Sequence, residues 1–389
     1  MTIKTSRVTP VRVLHIINDL SVGGAEMMLF KLLNGRDQRD YAPTVISLGR
    51  RSNLDERVEN LSVPVHNIGM RPAKLPTPAQ FYRLLKIVRR LKPDLIHAWM
   101  YHGSLATQLC LMLTRQRIPV VWSLHSCNDD LSLEKRMTAF IIRACRHFSS
   151  RPSKIVYVSG PSRRRHEAMG YSSTNSVVIH NGFDTTRFAP SLEARASVRA
   201  ELGVKDDQLL IGLIGRFHPM KDHITFLVAA HLLSTEYQAA HFLLVGREVN
   251  SENQVLGDLI TKFGLERRTH LLGERTDIPR LIAAADISSL SSSYGESFPL
   301  VVGEAMASGV PCVVTDVGDS AKLVGPTGIV VPPRDPEALA KAWSQLLYVG
   351  ADGRAQLGEA ARERINENFL LASVIAQYEG LYSSLLQSA

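Results

Sequence analysis

Short apolar runs rich in β-branched residues alternate with helix-length stretches along this chain, and the alternation starts twice. VRVLHII (11–17), APTVISL (42–48), DLIHAW (94–99) and IPVVWSLH (118–125) form the first series. Between them lie helical patterns such as TPAQFYRLLKIVRRL, where Thr77 suits the N-cap, Pro78 the first helical position, and Phe81, Leu84, Leu85 and Val88 one apolar face. Such alternation predicts a parallel sheet with helices on both faces. It begins again after VVIHNGFDTTRFAPS, where Asn181-Gly182 and Pro190 mark turns. QLLIGLIG (208–215), HFLLVG (241–246), THLLG (269–273), DISSLS (286–291) and VPCVVT (310–315) then read as strands of a second doubly wound sheet, with a helical tail from Pro336 onward.

At 389 residues the chain exceeds the usual size of one hydrophobic core. The expected division is an N-terminal α/β domain over 1–188, a second over 189–365 and a C-terminal helix, 366–389, crossing back to the first. In open α/β sheets ligands sit at the carboxyl ends of the strands, so the ligand site is expected there, between two facing domains.

Charge divides the chain unevenly. Residues 1–188 hold 28 Lys and Arg against 13 Asp and Glu, and the remainder 17 against 24, so the first half is expected to attract anions. The four cysteines show no metal-ligand spacing and no close pair, which argues against a disulfide framework or structural zinc and for a reducing cytoplasm. The N-terminal apolar stretch is strand length with no cleavage site after it, so no secretory signal is expected. No apolar run reaches the roughly 18 residues of a membrane-spanning helix.

Several loops carry candidate chemistry. In IGLIGRFHPMKDHITFLVAA, Arg216 follows a strand and Lys221 precedes Asp222, a good N-cap, so guanidinium, ammonium and helix dipole converge where a diphosphate would bind. In SSYGESFPLVVGEAMASGVPCVVTD, Ser297 is expected to cap a helix starting at Pro299, leaving the amides of Phe298 and Leu300 for an anion. Glu296 then stands at the mouth of the site and Glu304 further along the helix, both suited to sugar hydroxyls. INDLSVGGAEMMLF places Gly23-Gly24 between strand and helix without G-x-G-x-x-G, which disfavours nicotinamide dinucleotides. His125 ends a strand on the ligand-binding side. Asp129-Asp130 lack a third oxygen ligand nearby and read as a loop or cap, so no metal is expected. Taken singly, each of these features admits a structural role.

Two basic segments remain. EKRMTAFIIRACRHF sets Arg136, Arg143, Arg146 and His147 around an apolar stripe of Met137, Phe140, Ile141 and Ala144, and SRRRHEAMG adds Arg163, Arg164 and Arg165. These suit either a solvated helix face or peripheral contact with anionic lipid. Nucleic acid is disfavoured, since no exposed aromatics interleave with the cations.

Read in order, GGAE, SLHS, VIHNGFDTTRF, GRFHPMKDH, LLVGRE, LLGERTDIPRLIAAADI and SSSYGESFPLVVGEAMASGVPCVVTDVG resemble the group 1 glycosyltransferases, retaining nucleotide-sugar enzymes built from two Rossmann-like domains, the GT-B architecture. The resemblance implies that Arg216 and Lys221 hold the donor diphosphate, Glu296 and His125 contact the transferring sugar, and the amides of Phe298 and Leu300 lie beside sugar and phosphate. It also implies that Glu304 holds the ribose, Arg275 lies by the base and Gly24 approaches phosphate or acceptor. The family commonly continues VGG and then an acid, whereas here Gly318 is followed by Asp319.

The implied function is metal-independent, cofactor-free transfer of a hexose or N-acetylhexosamine from a UDP- or GDP-sugar to a glycan or polyprenyl-diphosphate-linked acceptor. Cell-surface or exopolysaccharide synthesis at the cytoplasmic face of a membrane fits that chemistry. A sugar-nucleotide epimerase, or a sugar-nucleotide-binding subunit without turnover, is the alternative.

Overall fold

The computed structural model describes residues 9–21, 23–36, 40–71, 76–127, 131 and 135–387. The chain forms two compact units, one of Met1–Gly182 with Ala372–Ala389 and one of Phe183–Leu371.

The first unit runs β1 (Val11–Ile17), α1 (Gly24–Gly35), β2 (Tyr41–Ser47), α2 (Asn53–Glu59), β3 (Val65–Asn67), α3 (Pro78–Leu91), β4 (Leu95–Trp99), α4 (Met100–Thr114), β5 (Val120–Leu124), α5 (Arg136–Phe148), β6 (Lys154–Tyr157), α6 (Gly160–Ala168) and β7 (Ser176–Val178). Its seven strands order β3-β2-β1-β4-β5-β6-β7. Every pairing is parallel; Val13 faces Leu95 across β1 and β4, and Ile96 faces Val120 across β4 and β5. The five residues of β4 and of β5 are all buried, as a sheet covered on both faces demands. Helices α3, α4 and α5 share one hydrophobic core over β1, β4 and β5, built on Leu84, Val88, Leu111, Ile142 and Trp122.

The second unit holds α7 (Leu192–Leu202), β8 (Leu209–Ile214), α8 (His223–Glu236), β9 (Ala240–Val245), α9 (Gln254–Lys262), β10 (Thr269–Leu271), α10 (Ile278–Ala284), β11 (Ile287–Leu290), α11 (Leu300–Ala307), β12 (Cys312–Thr315), α12 (Ser320–Val324), β13 (Ile329–Val331), α13 (Pro336–Tyr348) and α14 (Gly350–Asn368). Its sheet is also wholly parallel, ordered β10-β9-β8-β11-β12-β13. Trp343 of α13 lies at the centre of its core, edge-on to Phe226. The last helix, α15 (Leu371–Gln387), belongs from Ala372 onward to the first unit, where the Tyr382 hydroxyl lies 2.6 Å from His97 Nδ1.

Thr77 caps α3 as its sequence predicts, accepting from the Gln80 amide while the Gln80 side chain accepts from the Thr77 amide. Strands β3, β6, β7 and β13 lie outside the expected runs; β3, β7 and β13 are three-residue edge strands, less buried than the central ones and so less apolar in pattern. The apolar stripe noted on α5 is only partly the buried one. Ala139, Ile141, Ile142 and Cys145 are buried, whereas Phe140 is 56% exposed, because the inward face follows the sheet rather than the longest apolar spacing.

Candidate active site

In each sheet the strand order reverses at one point, between β8 and β11 in the second unit and between β1 and β4 in the first. Loops at the carboxyl ends of such strands diverge and leave a crevice for ligand. Arg216, Lys221, Glu296, Phe298 and Gly24 fall on or at the ends of the loops that follow β8, β11 and β1, whereas His125 follows β5 and Arg275 follows the edge strand β10.

In the second unit, β8 leads through Arg216 to a single 3-10 turn, Pro219–Lys221, and into α8. Asp222 joins turn to helix in the left-handed region, φ 50° and ψ 57°, and its carboxylate caps α8 by accepting from the Thr225 amide at 3.1 Å. That corner aims Lys221 across to the loop after β11, where Nζ meets Glu296 Oε1 at 2.5 Å. Ser292 Oγ donates to the same oxygen at 2.7 Å. Ser291 Oγ donates to the Lys221 carbonyl and the Ser293 amide to the Met220 carbonyl, so the two loops are stitched along their length. Both members of the ion pair are largely buried. Arg216, by contrast, is exposed and makes no hydrogen bond or ion pair with the described residues.

Glu296 is fixed from behind as well. The Asp319 amide donates to the Ser297 carbonyl, and Gly318, at φ +65°, packs so closely that a Cβ there would lie 2.2 Å from the Glu296 carbonyl oxygen. Helix α11 begins at Leu300 with Pro299 as its N-cap, rather than at Pro299 capped by Ser297. Pro299, with ψ 113°, remains extended while the segment before it is tied to the Gly318 loop. Phe298 is buried with its ring stacked on Phe183, and Glu304 is half-buried on α11. Arg275 lies after β10, with all three guanidinium nitrogens donating to Asp277 and Glu201. It is thus held apart from the Lys221–Glu296 pair, at the far edge of the sheet.

The imidazoles beside the cations are neutral. Burial first, and then the charge of Lys221, push His223 down to about 4; His218 is lowered by burial and by Arg216 and Lys221.

In the first unit, Gly24 opens α1, exposed, with Gly23 as N-cap. Glu26, in the first turn of that helix, is pushed up to about 7 by burial and further by Asp19. His125 directly follows β5. Its ring lies 5.3 Å from that of Trp99, whose Nε1 donates to His15 Nδ1 at 3.1 Å. Both His125 ring nitrogens are buried with no hydrogen-bond partner among the described residues, and burial holds the imidazole neutral, down to about 3. Asp129 and Asp130 lie outside the described residues.

Sequence reasoning did not single out Ser291, Ser292 or Glu26. The run SLSSSYG at the end of β11 was the available signal for the serines, since small hydroxyls at a strand end commonly hold a neighbouring loop.

Comparison with known proteins bears on this arrangement. Residues 208–348 match the family model for glycosyl transferases group 1, and residues 22–187 that for glycosyltransferase family 4. N-acetyl-alpha-D-glucosaminyl L-malate synthase of Bacillus anthracis is 26% identical over 313 residues, 78% of each chain. UDP-Gal:alpha-D-GlcNAc-diphosphoundecaprenol alpha-1,3-galactosyltransferase of Escherichia coli is 31% identical over 153 residues, 38% of each. The crystal structure of Anabaena HepE in complex with UDP-glucose shares the fold, with a TM-score of 0.83 at 24% identity over 96% of this chain and 99% of that one. With two family models in sequence order and two Rossmann-like units built around matching switch-point loops, this chain belongs to the group 1 glycosyltransferases of GT-B fold.

Proposed function

We propose that this glycosyltransferase moves a hexose or N-acetylhexosamine from a uridine diphosphate sugar to a glycan or a diphosphate-linked lipid carrier, retaining the anomeric configuration and needing no metal. The observation that carries this reading is the pairing at the β8–β11 switch point, where exposed Arg216 stands on the same loop as Lys221, itself bound to Glu296. As the anomeric C–O bond breaks, the electron pair passes to the β-phosphate, and the sugar gains oxocarbenium character. Arg216 and Lys221 supply two positive charges for the departing diphosphate, the task a divalent ion performs elsewhere. The first amides of α11 add donors at a helix N-terminus.

Glu296 is poorly disposed as a nucleophile, because Oε1 already accepts from Lys221 and Ser292. Its role is to hold sugar hydroxyls and fix the lysine. Retention then follows if the acceptor oxygen bonds the anomeric carbon on the face the diphosphate leaves, its proton passing to the departing phosphate oxygen. His125, whose buried ring nitrogens have no hydrogen-bond partner among the described residues, would contact the sugar once the ring turns toward the ligand. The relatives' names support a sugar-nucleotide donor, with galactose from UDP and a diphosphoundecaprenol acceptor in one case and UDP-glucose bound in another.

Thermal-shift screening against UDP, GDP, ADP and their sugars tests the donor, with only uridine nucleotides expected to raise Tm appreciably. Release of UDP from the matching sugar in the presence of a synthetic prenyl-diphosphate acceptor should persist in EDTA. Activity abolished by EDTA and restored by Mg²⁺ or Mn²⁺ would overturn the metal-independent mechanism.

A further inference from the structure

Helices α3, α4 and α5 turn their inner sides to the same face of the first sheet, so their outer sides look away from it together. Outer faces of surface helices ordinarily carry charge. Helix α4 contains no Lys, Arg, Asp or Glu at all, and its outer positions at helical spacing are Leu109, Met112 and Leu113, the last 62% exposed. On α5 the exposed stripe runs Arg136, Phe140, Arg143, His147, with the phenyl ring set between two cations. On α3 it runs Arg83, Lys86, Arg90. The three helices together contain seven Lys and Arg and no acid. None of Arg83, Lys86, Arg90, Arg136 and Arg143 forms an ion pair with the described residues.

An apolar ridge between two cationic helices matches one kind of partner. A second copy docked on the same face would set cation against cation, and aliphatic Leu and Met offer nucleic-acid bases no stacking platform. Anionic lipid headgroups answer the cations, while the acyl boundary takes the Leu, Met and Phe side chains. We propose that the α3–α4–α5 face of the first unit is a docking surface for anionic bilayers, with α4 as the inserted ridge. No described helix is long and apolar enough to span a membrane, so binding would be interfacial.

Vesicle flotation of the full chain tests this without turnover, and so independently of donor and acceptor chemistry. Phosphatidylglycerol-rich vesicles should carry the protein at low salt, phosphatidylcholine vesicles should not, and high salt should weaken binding. Replacing Arg83, Lys86 and Arg143 together by Gln should lower affinity on the order of a hundredfold, taking about 1 kcal/mol per cation. Leu113→Ser with Phe140→Ser should cost at least about tenfold. All five positions are exposed, so thermal unfolding should match the parent. Equal binding to neutral vesicles, or binding that survives both variants, would overturn the assignment. A change in oligomeric state on Leu113→Ser with Phe140→Ser would likewise overturn it, marking the face as a self-association surface.

Discussion

The two units are built on one plan yet hold their ligand-side groups by different means. In the second, Lys221, Glu296 and Ser292 converge through directional bonds of 2.5 and 2.7 Å, and the loops bearing them are joined through Ser291 and Ser293. In the first, His125 is positioned by ring contact with Trp99, and its ring nitrogens are bonded to nothing described. Directional bonding suits a ligand group of constant charge and geometry, such as a diphosphate. Ring packing fixes the imidazole plane but leaves its buried nitrogens without a bond to the described residues, so this group is held less tightly. Under the proposed reading the donor side is thus the stiffer half.

Removing cations from the second unit should break that contrast most sharply. Arg216→Ala should lower kcat/KM by about 10²–10³ while leaving Tm unchanged, because the side chain is exposed and unbonded. Lys221→Ala should cost a similar factor in kcat/KM and also about 3 kcal/mol of stability, since Glu296 would stay buried without its cation. An unchanged Tm in Lys221→Ala would show that Lys221 does not brace the site.

Acid should expose the next difference. His15 and His125 are lowered to about 3 and His166 to about 4, with His97 also well below its usual value, all in the first unit; the second has His223 and His270 at about 4. Below about pH 6.5 the unfolded chain takes up protons that the folded chain refuses, so stability falls as pH drops, by up to about 1.4 kcal/mol per unit for each such histidine. Hydrogen exchange at pH 4.5 against pH 7 should show the first unit loosening more than the second. Equal loosening would remove the distinction.

Two smaller effects sharpen it. Gly318→Ala should cost about 2 kcal/mol and reduce turnover, since φ +65° and the Glu296 carbonyl both oppose a Cβ. His125→Phe should retain the tilted ring contact with Trp99 and raise Tm slightly, by removing buried nitrogens that no described residue bonds, worth about 1 kcal/mol, while turnover falls. A variant that loses Tm would mean that the His125 nitrogens have partners after all.

Much of the fold was legible because the central strands are buried on both faces and so read as continuous apolar runs, and because caps such as Thr77 and Asp222 act within four residues. The Lys221–Glu296 bond was not legible: its partners stand 75 residues apart, and only the placing of β11 beside β8 joins them. The start of α11 was misplaced by one residue because a proline without its N–H serves equally at the cap and at the first helical position. The placing of Phe140 was left open because its spacing fits both the apolar series and the cationic one, and the sheet chooses between them.

The return of α15 to the first unit has a temporal meaning. His97, in the middle of the first sheet, has its Nδ1 partner in Tyr382, 285 residues later and about two hundred after the last strand of that sheet. At ordinary synthesis rates of about 5–20 residues per second, that partner leaves the ribosome roughly 10–40 s after the sheet it completes. Meanwhile the nascent first unit must wait with an imidazole-lined seam open, and the second unit can finish folding before the first is closed. A fragment ending at residue 182 therefore represents a translation intermediate rather than a domain, and chaperone binding should concentrate on it.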